Sequence, residues 1–167
     1  MEKETIERII RSFNEAGIRY LIAGGFAVIA HGYTRLTMDL DIVLDLEPEN
    51  AFKALKILKG EGYAPKIPVP IEQFADADLR RDWVENRNMV AFPLWSEQHR
   101  RTGIDLFVTE PLDFERAYSE RLTTQLSPEL QADFVSLADL LFLKREASRP
   151  KDLQDIYYLQ NIQEKLP

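Results

Sequence analysis

The stretch Leu21-Ile22-Ala23-Gly24-Gly25, followed by Arg35-Leu36-Thr37-Met38-Asp39-Leu40-Asp41-Ile42, decides how this chain folds. An apolar run closes on two glycines, a short segment of helical character follows, and two acids then stand one residue apart inside a second apolar run. Acids are depleted in strands and are rarely buried without a partner. A strand puts residues i and i+2 on one face. With residues 39–45 as a strand, Asp39 and Asp41 project side by side while Leu40, Ile42 and Leu44 point the other way. Two adjacent carboxylates repel unless a cation or a proton lies between them. Carboxylates together with phosphates are typical Mg²⁺ ligands, so the stretch points to chemistry on a phosphate.

A third acid has the same setting. Asp105 lies in Ile104-Asp105-Leu106-Phe107-Val108, flanked by apolar residues that face the opposite way. A strand placed beside the first pair completes a three-carboxylate site. Such a set suits two Mg²⁺ ions roughly 3.5–4 Å apart, the arrangement used for in-line displacement at phosphorus. Asp105 is then placed to act as general base toward a nucleophile. The alternative for each acid alone is an exposed or edge-strand carboxylate. Gly24-Gly25 follows a strand and opens a helix, where backbone N–H groups favour anions and glycine permits close approach. The alternative is a tight turn with no ligand. No Gly-Lys-Ser/Thr follows, and the pattern is not Gly-x-Gly-x-x-Gly, so neither common phosphate-loop fingerprint is present. Arg35 and Thr37 share the alternation of the acid pair and are candidates for phosphate contact, Arg35 through charge-assisted hydrogen bonds; a solvated loop is the other reading.

The 167 residues fit one domain, or a core with a helical appendage. At 45% hydrophobic residues the chain has material for a proper core. It has no cysteine, which excludes disulfides and cysteine-ligated zinc. The charged start, Met1-Glu2-Lys3-Glu4, lacks the apolar core of a signal peptide, and no stretch is long enough for a membrane span, so a cytoplasmic protein with no membrane partner is expected. The net charge of -7 argues against a non-specific nucleic-acid binder, which is usually basic, while leaving room for a local basic cleft.

Periodicity predicts a helix over residues 3–16, with Ile6, Ile9, Ile10 and Phe13 on one face and Gly17 as its stop. A short strand at 20–23, a helix over 26–31 ended by Gly32, the strand at 39–45 and a helix opened by Pro48 follow. Residues 60–87 read least clearly, broken by Pro65, Pro68 and Pro70, with a short helix over 71–82. Strands are expected at 88–95, 103–108 and 131–135, a short helix after Pro111, and two helices at 137–147 and 151–165 separated by Pro150. The expected class is α/β (α+β): a small mixed sheet flanked by helices, with residues 1–135 as the core and 136–167 as a C-terminal helical hairpin of one domain.

These residues resemble a known family. The turn at Gly24-Gly25, His31-Gly32 and the Asp39-Leu40-Asp41 strand resemble the nucleotidyltransferase superfamily that includes DNA polymerase beta. The Gly-Gly-x-Ala form is most similar to AbiEii/AbiGii-type toxin nucleotidyltransferases and their uncharacterised bacterial relatives. The block Leu143-Lys144-Arg145-Glu146-Ala147-Ser148-Arg149-Pro150-Lys151-Asp152-Leu153-Gln154-Asp155 resembles a Lys helix followed by Arg-x-Lys-Asp-Leu-x-Asp in that group. The resemblance covers roughly residues 18–46, 103–109 and 137–160. It implies a nucleotidyltransferase fold and transfer of a nucleoside monophosphate from an NTP to a hydroxyl of RNA (a tRNA end included), protein or a small molecule, with a toxin role and an antitoxin partner. It implies Mg²⁺ on Asp39, Asp41 and Asp105, the triphosphate on Gly24 and Gly25, and Lys144 approaching that triphosphate as a cation. Asp152 and Asp155 either orient Lys144 or Arg149, contact the nucleotide, or form a salt-bridge network of the hairpin.

Two readings compete with catalysis: an inactive binding or regulatory module on the same fold, and a metal-dependent phosphohydrolase, the latter short of ligands with only two histidines. His31 reads as a packed or capping residue and His99, beside Arg100-Arg101, as solvated. Trp83 and Trp95 read as packing residues or as platforms for a base. The segment Gln98–Arg101 either steers an acceptor or is a charged loop.

Overall fold

The computed structural model describes residues 2–165. A helix α1 (Lys3–Glu15) buries Ile6, Ile9, Ile10 and Phe13, the stripe its periodicity marks. Gly17 follows it at φ +66°, a conformation in which glycine avoids the Cβ clash. Strand β1 (Tyr20–Ile22) is buried throughout. It leads into α2 (Gly24–Ala30), then β2 (Asp39–Leu44) and α3 (Pro48–Gly60). Glu47 caps α3 through its carboxylate, which accepts from the Glu49 and Asn50 N–H groups.

The proline-broken segment holds β3 (Ala64–Pro65), a 3-10 turn (Ile71–Ala75) and α4 (Ala77–Arg87) capped by Asp76. Strands β4 (Ala91–Trp95) and β5 (Gly103–Phe107) follow, then α5 (Phe114–Ser119), β6 (Leu122–Ser127) and β7 (Leu130–Phe134). The helices α6 (Leu137–Ala147) and α7 (Pro150–Lys165) close the chain.

The seven strands form one mixed sheet in the order β3-β4-β5-β2-β1-β7-β6. β2 runs parallel to β5 and β1 parallel to β7, while the other pairs are antiparallel. The sheet therefore has two strands more than the sequence indicates, and both are edges. β3 is two residues long and contains Pro65, which cannot donate to a ladder. β6 is rich in threonine, glutamine and serine and at no point buried, so it shows no apolar alternation.

On the central strands, Leu40, Ile42, Ile104 and Leu106 are fully buried in the core. Their alternates carry the acids to the opposite face. Trp83 is core, 1% exposed, and stacks on Phe92 with ring centroids 5.1 Å apart.

Candidate active site

The β2–β5 register sets Asp41 directly opposite Asp105 and Asp39 opposite Gly103. All three acids thus lie on one face of two adjacent parallel strands, because a period of two carries residue identity straight into sidedness. Asp39 is exposed; Asp41 and Asp105 are half-buried. Burial and the repulsion of Asp105 and Asp39 push the Asp41 carboxyl up to about 6, against the pull of the Lys144 ammonium and the Gly25 N–H. Burial and the Asp39 charge also raise Asp105, opposed by Lys66, Lys151 and Arg149. The carboxylates lean apart: Asp39 Oδ1 lies over Gly103, and Asp41 Oδ2 over Gly24. Among the described residues, no three acid or histidine side chains converge into a ready metal-ligand cluster.

The glycine pair is explained by its neighbours. A Cβ on Gly24 would stand 1.8 Å from Asp41 Oδ2, and Gly24 has φ +60°. A Cβ on Gly25 would stand 2.6 Å from Thr37 Oγ1 and 2.8 Å from Arg35 Nη2. Both positions are therefore closed to a side chain, and the turn brings backbone N–H groups, a carboxylate and a guanidinium to one point. Gly24→Ala is expected to destabilise the fold by about 1–3 kcal/mol through backbone strain and collision with Asp41. A melting temperature unchanged in Gly24→Ala would show that the turn has room to relax.

Arg35 is held from outside. Its Nη2 donates to Asp155 Oδ2 (3.0 Å), with Nε 2.8 Å from Asp155 Oδ1. Asp155 also takes the Lys144 ammonium at 2.8 Å, and Lys144 donates to Asp152 Oδ1 at 2.9 Å. Arg149 completes the chain with its Nε 2.6 Å from Asp152 Oδ2. The run Arg35–Asp155–Lys144–Asp152–Arg149 ties the loop before β2 to both C-terminal helices. Lys144, Asp152 and Asp155 are 4%, 0% and 1% exposed, so this is a buried ionic network, in which each charge depends on its partners. Burial disfavours the Asp152 carboxylate, yet the hydrogen bonds and charges of Arg149 and Lys144 outweigh that and hold its pKa at about 2. The Lys144 ammonium therefore sits in the wall of the site with its charge already matched by two carboxylates.

A cavity of about 530 Å³ runs from Gly24, Asp41 and Asp105 to Lys144 and Arg149, walled by Phe107 and Leu140 among others. The acid face, the glycine turn and the C-terminal helices thus share one concavity. Thr37 Oγ1 lies against Gly25. His31 is structural: its Nε2 bonds the Val135 carbonyl at 2.9 Å. His99 corrects the expectation of a solvated ring. It is fixed between Thr5 (Nδ1–Oγ1, 3.1 Å) and Arg8 (Nη2–Nε2, 2.8 Å) of α1. As the guanidinium only donates, Nε2 accepts and Nδ1 carries the proton. Lys66 acts on Asp105 but lies among prolines with no periodicity, so nothing in the sequence marks it.

No family model matches the sequence. No curated protein matches it either. Solved structures do match the fold. The lincosamide antibiotic adenylyltransferase LnuA, with lincomycin bound, aligns at TM-score 0.60 and 17% identity over 97% of this chain and 98% of that one. An antigenic nucleotidyltransferase-like protein from Paracoccidioides brasiliensis aligns at TM-score 0.59 and 16% identity, over 96% of this chain and 75% of that one. ANT(2")-Ia, in complex with adenylyl-2"-tobramycin, aligns at TM-score 0.56 and 13% identity over 94% and 86%. The mixed sheet and its helices are those of the nucleotidyltransferase fold.

Proposed function

We propose that this protein is a Mg²⁺-dependent nucleotidyltransferase, moving a nucleoside monophosphate from an NTP to a hydroxyl acceptor and releasing pyrophosphate. The observation that carries the reading is the in-register acid face of β2 and β5 against the Gly24-Gly25 turn. A lincosamide antibiotic adenylyltransferase among the neighbours of this fold supports it.

The donor set fits a hard divalent cation. It consists of carboxylate oxygens, and two of the three carboxyls are raised by burial and by mutual repulsion, the second of which a cation relieves. Asp39, Asp41 and Asp105 would hold Mg²⁺, two ions in the fullest arrangement. When bound, the metal neutralises phosphate charge and lowers the pKa of the attacking hydroxyl. The chain's own groups do the rest. Gly24 and Gly25, having no side chains, permit a close approach of phosphate oxygens to the turn. Arg35, fixed by Asp155 at Gly25, adds a positive charge that needs no reorganisation during reaction. Asp105, its basicity raised by burial, takes the hydroxyl proton. Thr37, in the loop before β2, brings its hydroxyl against Gly25 and would turn it to a phosphate oxygen. Lys144 acts on the site through its field at Asp41.

The sequence resemblance to AbiEii-type toxins extends the proposal to a toxin restrained by an antitoxin, with RNA, protein or a small molecule as acceptor. An inactive module is the second reading, favoured by the saturation of Lys144 by two carboxylates. No helix among the described residues is long and apolar enough to cross a membrane.

Calorimetric titration with each of the four NTPs and Mg²⁺ tests the reading. At least one is expected to bind, with binding lost in Asp39→Ala/Asp41→Ala and in EDTA. Absence of binding to the folded wild type would favour the inactive module.

A further inference from the structure

We propose that the groove beside Asp39 is the acceptor subsite and takes a phosphate-bearing acceptor, either a free nucleotide or the hydroxyl end of a single-stranded RNA. This rests on the transferase reading above. The groove, about 580 Å³, lies at the N-terminal ends of β2 and β5 and is lined by Met38, Asp39, Lys66, Trp95, Arg100 and Arg101 among others. It is a different cavity from the one that holds Gly24, Asp41 and Asp105. Asp39 lines the groove while Asp41 and Asp105 line the other cavity, so the acid row stands between the two. A triphosphate on the glycine turn therefore leaves the groove as the side from which a second molecule reaches the acids.

The groove's charge names the chemistry. Among the described residues, Lys66, Arg100 and Arg101 form no ion pair with a carboxylate, although the chain as a whole carries a net charge of -7. Three cations without a contact ion pair outnumber Asp39 and Glu97 in the groove's lining, which favours an anion and opposes a cationic acceptor. Trp95 is 42% exposed at the end of β4 and lines the same groove, which offers a stacking face for a base.

The loop that bears the arginines is held in place before any ligand arrives. His99 is fastened to Thr5 and Arg8 and stacks on Tyr63, whose hydroxyl donates to the Thr102 carbonyl at 2.9 Å. The Glu2 N–H donates to Thr102 Oγ1 at 2.9 Å. Such fixing lowers the ordering cost of binding.

In the reaction, the acceptor hydroxyl oxygen bonds the NTP α-phosphorus. The bond from that phosphorus to the α,β-bridging oxygen breaks, pyrophosphate leaves with the electron pair, and the hydroxyl proton passes to the Asp105 carboxylate.

Fluorescence anisotropy of a 5′-labelled single-stranded RNA of roughly ten nucleotides tests the subsite. Wild type is expected to bind it with strong salt dependence. Arg100→Ala/Arg101→Ala, and independently Lys66→Ala, are expected to bind about tenfold or more weakly, with a shallower salt slope. Displacement of the RNA by AMP supports a single-nucleotide acceptor, and failure of AMP to displace it supports the RNA end. The proposal is overturned if neither RNA nor AMP binds wild type, or if the variants bind equally well. NTP titration separates the two readings. NTP binding without RNA or AMP binding sinks the subsite alone, whereas variant-sensitive RNA binding without NTP binding sinks the transferase reading and with it the groove's role as an acceptor subsite, leaving only an anion-binding groove.

Discussion

Replacing Lys144 by methionine is expected to destabilise the protein by about 3–5 kcal/mol, the usual consequence of removing one partner from a buried ion pair. Methionine keeps most of the side-chain volume, so packing loss is small. The cost arises because Asp152 and Asp155, both essentially buried, lose the ammonium that joins them. Arg149 and Arg35 still reach one carboxylate each, which places the effect toward the lower end of that range. Chemical denaturation of Lys144→Met and of Lys144→Met combined with Asp152→Asn checks this. The combined variant should recover part of the loss, since Asp155 keeps Arg35 and Arg149, 58% exposed, is left to solvent. A single variant as stable as wild type would mean that the network is solvated and carries little.

Asp41→Asn is expected to move stability the other way. The wild-type carboxyl sits at about 6 against an ordinary 3.8, so the folded state holds its proton more tightly than the unfolded chain. Stability is therefore lost as pH rises through the window from about 4 to about 6, and the penalty is fully present at pH 7. Asparagine keeps the shape, carries no charge, and retains an oxygen to accept the Gly25 N–H. The variant should gain on the order of 2 kcal/mol at pH 7 and little at pH 4. A pKa difference of one between folded and unfolded states is worth about 1.4 kcal/mol, and solvent at this half-buried carboxyl screens part of the total. Added Mg²⁺ should raise the wild-type melting temperature and raise that of Asp41→Asn much less. Denaturation at the two pH values with and without Mg²⁺ reads both. A variant no more stable than wild type at pH 7 would mean that the acid face is well hydrated. Gain of stability with loss of function is the pattern expected where like charges are held together for chemistry.

The acid face is legible in the sequence because strand alternation converts spacing directly into sidedness. Asp39, Asp41 and Asp105 need only the adjacency of β2 and β5, which the sheet supplies with Asp41 opposite Asp105. The glycine turn is legible for a related reason: a strand that ends on Gly-Gly leaves few backbone paths. Legibility fails where tertiary context decides. β3 carries Pro65, and β6 has no apolar alternation, so both edges are defined by their neighbours alone. Lys144 reads as a cation free to meet a phosphate, because sequence spacing shows that Lys144, Asp152 and Asp155 come near one another but not how deeply they are buried. His99 reads as a solvated ring because its partners Thr5 and Arg8 lie 94 and 91 residues away in the chain.

Paired label transfer with α-labelled and γ-labelled NTP, Mg²⁺, and RNA and lysate as acceptor sources decides whether the acid face and the glycine turn catalyse nucleotidyl transfer. The expected result is α-label on an acceptor and γ-label in pyrophosphate, both abolished by EDTA and by Asp39→Ala or Asp41→Ala while the variants remain folded. Full transfer by the Asp39→Ala/Asp41→Ala double variant, or γ-label released by wild type as free phosphate with no α-label on any acceptor, would contradict it.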